Sequence, residues 1–428
     1  MHLLITGANG FIGSHLVRTC LEMGHQVTGA VRDPHQAKRL CPAANFIHCD
    51  FSRDVAVETW LPRLQGVDLV INAVGIIREQ GGQRFDRLHR ETPIALFQAC
   101  AQAGVDRVIQ ISALGADDTA FSQYHLSKKA ADDALATLDL NWTILMPSIV
   151  YGPGAKSMAF FAALASLPLT PLVDKGEQEV QPIHISDFIR VVRRAIDADG
   201  FAHTRLAVAG PEPISMRRLF TALRHWLGMG SPRFLSLPYG VSLIAARYLG
   251  FLGTTPMNAE AVEMLQRGNT TDTERLGKAL GFMPKSLEQA LSATPAQEAD
   301  RWHAGLYFLS PLLIWSIAFV WFFTGIISAF VVPTEMSYAM LAKAGISGIW
   351  APLMLYGAAA TDVVLGIAVL ARYRPRLLGL LQILLILIYT LIITLSQPEQ
   401  WLHPFGPVTK NAPMIMAILI MMTLERRQ

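Results

Sequence analysis

The sequence predicts an α/β domain built on a doubly wound parallel sheet with a small C-terminal substrate lobe, followed by an all-α domain of four transmembrane helices. Three observations carry that expectation. Apolar runs of strand length recur through the first 150 residues with gaps long enough for helices, the pattern of a parallel sheet covered on both faces. The first run, HLLIT at 2–6, passes directly into TGANGFIG, whose Gly7, Gly10 and Gly13 precede a helical pattern through Leu16, Val17, Cys20 and Leu21. Strand, glycine turn and helix in that order make the sheet Rossmann-like. From Ala304 an uncharged run extends to Thr334, longer than a bilayer crossing needs. Residues 1–300 are therefore assigned to the α/β domain, its lobe mostly within 150–300, and residues 304–428 to the membrane domain.

After HLLIT the strand-like runs are VTGAV at 27–31, NFIHC at 45–49, DLVINAV at 68–74, RVIQIS at 107–112 and WTILMPS at 142–148. Past Pro147, YGPG at 151–154 and GPEP at 210–213 interrupt the regularity. VQPIHI at 180–185 reads as a strand, and 187–197, 215–227 and 257–267 read as helices. In the tail, 304–334 is followed by apolar stretches at 349–371, 377–396 and 408–424, the last entered through Lys410, whose stem can snorkel.

Charge separates the two parts. The first 303 residues hold 29 basic and 29 acidic side chains, so they offer no electrostatic footprint for nucleic acid, and the net +3 belongs to the tail. There, Arg372, Arg374 and Arg376 lie between the second and third crossings and Arg426 and Arg427 at the C-terminus, while the other loops carry Lys343 and Lys410 with Glu335 and Glu399. The positive-inside rule then puts the protein in the inner (cytoplasmic) membrane with the α/β domain and both termini cytoplasmic. Cys20, Cys41, Cys49 and Cys100 show no metal-ligand spacing and read as reduced thiols; no metal site is expected. The N-terminus lacks the basic flank of a signal peptide and is expected to stay uncleaved.

Glycines at 7, 10 and 13 permit a tight turn, close approach of backbone to a pyrophosphate and close helix packing, and the helix N-terminus supplies oriented N–H donors. Asn9, Phe11 and Ile12 complete that cradle. Here residues 1–290 resemble the extended and atypical short-chain dehydrogenases/reductases, in which TGANGFIGSHL is a family-style opening. The resemblance implies that Asp50 and Phe51 contact adenine and that Asn72, Ala73 and Gly75 line the cofactor. At the end of the second strand the family's acidic residue is replaced by Val31, followed by Arg32, which suits a 2′-phosphate. NADP(H) is thus favoured over NAD(H), with Asp33 leaving NAD(H) open.

Tyr124 and Lys128 form a YxxxK pair one helical turn apart, and Ser112 ends the preceding strand. The resemblance implies that Lys128 holds the cofactor ribose and lowers the Tyr124 pKa for proton transfer, with Ser112 orienting the substrate oxygen. MPSIVYGPG resembles the segment closing over nicotinamide, matched at Pro147 and Tyr151 and with Met146 in place of an arginine. VQPIHISDF resembles the lobe signature at Gln181, His184 and Asp187. The stretches LPYGVSLIAARYLG, AVEMLQRGNTTD and LGKALGFMPKSLEQAL resemble the branch containing the SDR-type accessory subunit of respiratory complex I.

The tail resembles the DoxX-like membrane domains, most visibly at HPFGPVTKNAP, residues 403–413. Asp362 lies within the second crossing, where a carboxylate needs a partner; His403 and Lys410 are candidates, and partial solvation at the cytoplasmic interface is the alternative. Trp302, Trp315, Trp321, Trp350 and Trp401 are expected mostly as interfacial anchors.

Two functions of different kinds follow. One is a membrane-anchored NAD(P)-dependent oxidoreductase acting on a carbonyl or alcohol of a lipid-soluble, quinone-like substrate. The other is a non-catalytic NADPH-binding module serving assembly or regulation of a membrane redox complex as partner. A third, a nucleotide-sugar epimerase or dehydratase, needs a diphosphate site, for which Arg193, Arg194 and Arg217 are the available cations.

Overall fold

The computed structural model describes residues 1–197, 201–251 and 258–425. Residues Met1–Gly305 and Leu306–Gln428 form two compact units. Arg426 and Arg427, used above for membrane orientation, lie outside the described residues.

In the first unit the expected strands appear as β1 (His2–Thr6), β2 (Gln26–Val31), β3 (Asn45–His48), β4 (Leu69–Asn72), β5 (Arg107–Ile111) and β6 (Asn141–Pro147). Between them run helices α1 (Phe11–Glu22), α2 (Pro34–Leu40), α3 (Val57–Trp60), α4 (Thr92–Ala103) and α5 (Gln123–Ala136). A seventh strand closes the edge, and the sheet order is β11-β6-β5-β4-β1-β2-β3, parallel throughout. That strand, β11 (Thr204–Val208), pairs with β6 from Thr204 opposite Thr143. Its sequence, TRLAV, is too short and too polar at its start to stand out as a strand.

Side chains alternate across the sheet. Leu3, Ile5, Leu69, Ile71, Ile109 and Leu145 pack on the face covered by α1 and the lobe helix at 185–197, whereas Leu4, Val70, Val108 and Ile144 pack on the opposite face against α4 and α5. Each buried aliphatic side chain contributes about 1.5–3 kcal/mol. The strand order reverses at β1, with β2 on one side and β4 on the other, and this places a crevice at their carboxyl ends.

The lobe comprises β7 (Val150–Tyr151), α6 (Lys156–Ser166), β8 (Thr170–Val173), β9 (Glu179–Val180), β10 (Ile183–His184), α7 (Ile185–Asp197), β12 (Ile214–Ser215), α8 (Met216–Trp226), β13 (Phe234–Leu237), α9 (Tyr239–Phe251), α10 (Ala259–Arg267), α11 (Glu274–Leu280) and α12 (Leu287–Ala293). VQPIHI is thus not one strand. Pro182 separates β9 from β10, and these pair with different partners, β12 and β7. Of the arginines considered for a diphosphate, Arg193 pairs with Asp197, while Arg217 donates to the Lys175 carbonyl and lies over Phe234.

The second unit takes most of α13 (Glu298–Ile326), then α14 (Thr334–Lys343), α15 (Trp350–Leu370), α16 (Pro375–Ser396) and α17 (Asn411–Leu424). Three helical segments, Glu298–Val331, Trp350–Leu370 and Pro375–Ser396, are long and apolar enough to cross a membrane. The fourth, with 14 residues, spans about 21 Å and falls short of the crossing expected for it. Lys343 meets Glu399 at 3.8 Å and Arg372 meets Glu425 at 3.6 Å, so the loops alternate between two ends of the bundle.

Asp362 is buried, with Oδ2 3.2 Å from Thr324 Oγ1. Its partner is therefore a threonine on α13 rather than His403 or Lys410. Trp321, expected at an interface, is buried and donates to Gln382, whereas Trp302, Trp315, Trp350 and Trp401 are exposed.

Candidate active site

The crevice is built from three chain reversals at the carboxyl ends of β1, β4 and β5. Gly7 adopts φ +66°, and a Cβ on it would stand 3.0 Å from the Ala73 carbonyl oxygen. A Cβ on Gly13 would stand 2.1 Å from the Gly7 carbonyl oxygen, so α1 can start this close to β1 only with glycine there. Gly10 caps α1 without any side-chain hydrogen bond, and the first turn formed by Phe11, Ile12 and Gly13 follows it. An uncapped helix start above a glycine cradle fits a pyrophosphate. Asn9 belongs to the same turn, between β1 and α1.

At the adenosine end, Arg32 is exposed just past β2. The neighbouring Asp33 is committed elsewhere, its carboxylate accepting from Gln36 N at 2.9 Å as the N-cap of α2. Partial burial works to raise the Asp50 pKa, but hydrogen bonds from Ser52 and the Arg53 and Arg32 charges hold it below the usual carboxylate range. Phe51 differs from expectation. Its ring is buried in the core edge-on to Trp60, and its backbone carbonyl accepts a buried hydrogen bond from Thr92.

At the other end, α5 is capped by Ser122, which accepts from His125 N, and this begins the helix one residue before Tyr124. The Tyr124 ring is flanked edge-on by Phe85, His89 and His125, and its backbone N–H donates to Glu260 of α10. Burial, then the Asp132 and Glu260 carboxylates, pushes the Tyr124 phenol up to about 12. One turn later Lys128 is 4% exposed and donates to the Val74 and Ile111 carbonyls at 3.3 and 3.0 Å. Burial lowers its ammonium to about 8 against the opposing pull of Asp132.

Ser112 is close to this pair in the fold but buried, and its hydroxyl donates to Asp132. The expectation that this hydroxyl faces a substrate oxygen does not match the arrangement. Asn72 is also buried and ties strands together, accepting from Thr6 at 2.6 Å and donating to Gln110 at 2.7 Å. Pro147 ends β6, and its carbonyl accepts from Leu114 N. Tyr151 and His184 meet edge-on, with the Tyr151 hydroxyl and His184 Nε2 buried and unpartnered.

Two site residues escaped sequence reasoning. His89 accepts from Ile76 N at 3.0 Å and bonds Ser127 through its other nitrogen, so it braces the loop after β4 against α5. Nothing in RLHRET marks it. Asp132 does carry a signal, because it lies four residues after Lys128, one turn along the same helix face.

This is the arrangement of a nicotinamide-dinucleotide domain, and comparison with known proteins agrees. Residues 7–159 match the NAD(P)H-binding family and residues 318–419 the DoxX-like family. The chain is 32% identical over 195 residues to the ceramide reductase of Caulobacter vibrioides, a match covering 43% of this chain and 57% of that protein. It is 26% identical over 318 residues to NADH dehydrogenase (ubiquinone) 1 alpha subcomplex subunit 9, mitochondrial, of Mus musculus, covering 70% and 81% of the two chains. The solved UDP-glucuronic acid 4-epimerase of Bacillus cereus, in complex with UDP-glucuronic acid and NAD, superimposes with a TM-score of 0.52 at 20% identity over 68% of this chain and 97% of that one. The chain is thus a membrane-associated protein joining an NAD(P)-binding domain of the dehydrogenase and epimerase fold to a DoxX-like helical domain.

Proposed function

We propose that the protein is a membrane-anchored, NADP(H)-dependent reductase of a carbonyl, or dehydrogenase of the corresponding alcohol, on a lipid-soluble substrate, quinone-like molecules included. The observation that carries this reading is the Tyr124–Lys128 pair on one face of α5, with the lysine amine fixed to the carbonyls of Val74, in the reversal that follows β4, and of Ile111, the last residue of β5. A nicotinamide bound there supplies or accepts the hydride. Tyr124, kept as a neutral phenol, donates its proton to the substrate oxygen as that oxygen gains charge, and the Lys128 ammonium stabilises the phenolate left behind. Ser112 acts through Asp132. The exposed guanidinium of Arg32 beside an occupied Asp33 supports NADP(H). The ceramide reductase likeness supports a lipid substrate, and anchoring raises the local concentration of such a substrate. The arginines at 372, 374 and 376 support a cytoplasmic α/β unit on the inner membrane.

A non-catalytic role is the second reading, favoured by the longer match to a complex I subunit and by the occupied Ser112 hydroxyl. NADPH oxidation by full-length protein in detergent, with and without native membrane lipids, separates the two. Lipid-dependent oxidation that Tyr124→Phe reduces about 10²–10⁴-fold supports the reductase. Tight NADPH binding without oxidation under either condition supports the assembly role.

A further inference from the structure

Beneath the Tyr124–Lys128 pair lies a line of buried polar side chains: Thr6, Asn72, Gln110, Ser112 and Asp132. All four strand residues project to the α5 side of the sheet, the side on which Leu4, Val70 and Val108 pack. Their hydrogen bonds run in one direction, and a backbone group sets that direction. Val74 N–H, in the loop lining the cofactor crevice, can only donate, and it meets Asn72 Oδ1 at 3.4 Å. The Asn72 amide therefore turns its Nδ2 to Gln110, donating to Oε1 at 2.7 Å. With its oxygen taken, Gln110 turns its own NH2 to Asp132, donating to Oδ1 at 3.2 Å. Ser112 donates to the other carboxylate oxygen. Asp132 thus receives a donor on each oxygen, and these donors favour the carboxylate against the burial that favours the acid.

That carboxylate stands one turn beyond Lys128 on α5, where side chains four apart are neighbours. Lys128 needs such a neighbour, because its own hydrogen-bond partners are two neutral carbonyls in a buried setting that penalises the ammonium. The other ionisable groups near it are His89, held neutral by burial and by the lysine itself, and Tyr124. Neither supplies negative charge at neutral pH.

We propose that Asp132, fixed as a carboxylate by the one-way chain from Val74, is the positioning residue that keeps Lys128 cationic when the cofactor binds. The proposal rests on the assignment of Lys128 to the cofactor and not on turnover. It also links the cofactor loop to the proton-handling helix, because the group that orients the chain belongs to the loop.

The test is NADPH affinity of the full-length protein in detergent, followed by nucleotide fluorescence from pH 6 to 9.5. In the wild type, affinity falls as pH rises through the titration of Lys128, and Lys128→Met removes that limb. In Asp132→Asn the midpoint of the limb moves down by about one pH unit, and Asp132→Glu restores much of the shift. Asp132→Asn with uniformly weaker binding and an unmoved midpoint overturns the proposal, since that is what a packing role gives. If Asp132→Asn fails to fold, Gln110→Leu with Ser112→Ala strips both donors and must move the same midpoint. A wild type whose limb survives Lys128→Met sinks the assignment of Lys128 itself, a failure distinct from that of Asp132.

Discussion

Gly75 faces Lys128 across the space of one side-chain carbon: a Cβ on Gly75 would stand 3.4 Å from the lysine ammonium nitrogen and 3.8 Å from His89 Nε2. The loop after β4 therefore closes directly on the side chain that α5 offers to the crevice. Alanine fits at ordinary contact distance, so Gly75→Ala keeps NADPH binding within a few-fold. Valine must displace the amine, and Gly75→Val is expected to weaken binding about tenfold or more, overpacking costing about 1–3 kcal/mol. Titration of the two variants with NADPH checks this.

The glycine cradle has less tolerance. Gly13→Ala places a methyl group against the Gly7 carbonyl, a backbone atom that cannot rotate away, so α1 must leave β1. The expected result is loss of NADPH binding together with a lowered Tm, read in one fluorescence melt with and without nucleotide.

Cofactor choice depends on two neighbouring residues with different tasks. Arg32→Ala is expected to weaken NADPH about 10- to 100-fold while leaving NADH nearly unchanged, the worth of charge-assisted hydrogen bonds. Asp33→Ala removes the cap on α2, costs about 1 kcal/mol of stability and leaves the NADPH to NADH ratio where it was. Competition binding with the two nucleotides measures both.

Asp132 also gives stability a pH slope. Burial raises its pKa from 3.8 to about 6, although Ser112, Lys128 and Gln110 pull it down. Between those values the folded protein holds a proton that the unfolded chain has released, so this contribution is full below pH 4 and is lost as pH rises through 6. The Tm difference between wild type and Asp132→Asn is expected to shift against the wild type over that window.

The two inter-loop ion pairs predict a labelling pattern. Cysteines placed at Lys343 and Glu399 should react with an impermeant maleimide from one side of the membrane, and one at Arg372 from the other. Cys20, Cys49 and Cys100 are buried with thiols pushed upward by burial, and the half-buried Cys41 is replaced by serine to remove its background. Reaction of Lys343 and Arg372 positions from the same side defeats the alternating topology.

Local chemistry made much of this protein legible from sequence. Gly7, Gly10 and Gly13 announce the cradle because steric exclusion of a Cβ acts over a few residues. Six strands show as apolar runs because buried parallel strands must be apolar on both faces. The apolar tail shows because a bilayer demands long uncharged helices. Other facts belong to the tertiary structure, since they depend on contacts between distant segments. β11 is a strand because β6 offers it an edge 61 residues earlier in the chain. Phe51 faces Trp60 rather than the crevice, and Trp321 faces Gln382 rather than an interface. Above all, Ser112 meets Asp132 across the strand-to-helix connection, and the Val74 amide orients the Asn72 and Gln110 side chains that link Asp132 to Thr6. Spacing can bring Tyr124, Lys128 and Asp132 onto one helix face, but the protonation states they hold follow from burial and from donors on three other strands.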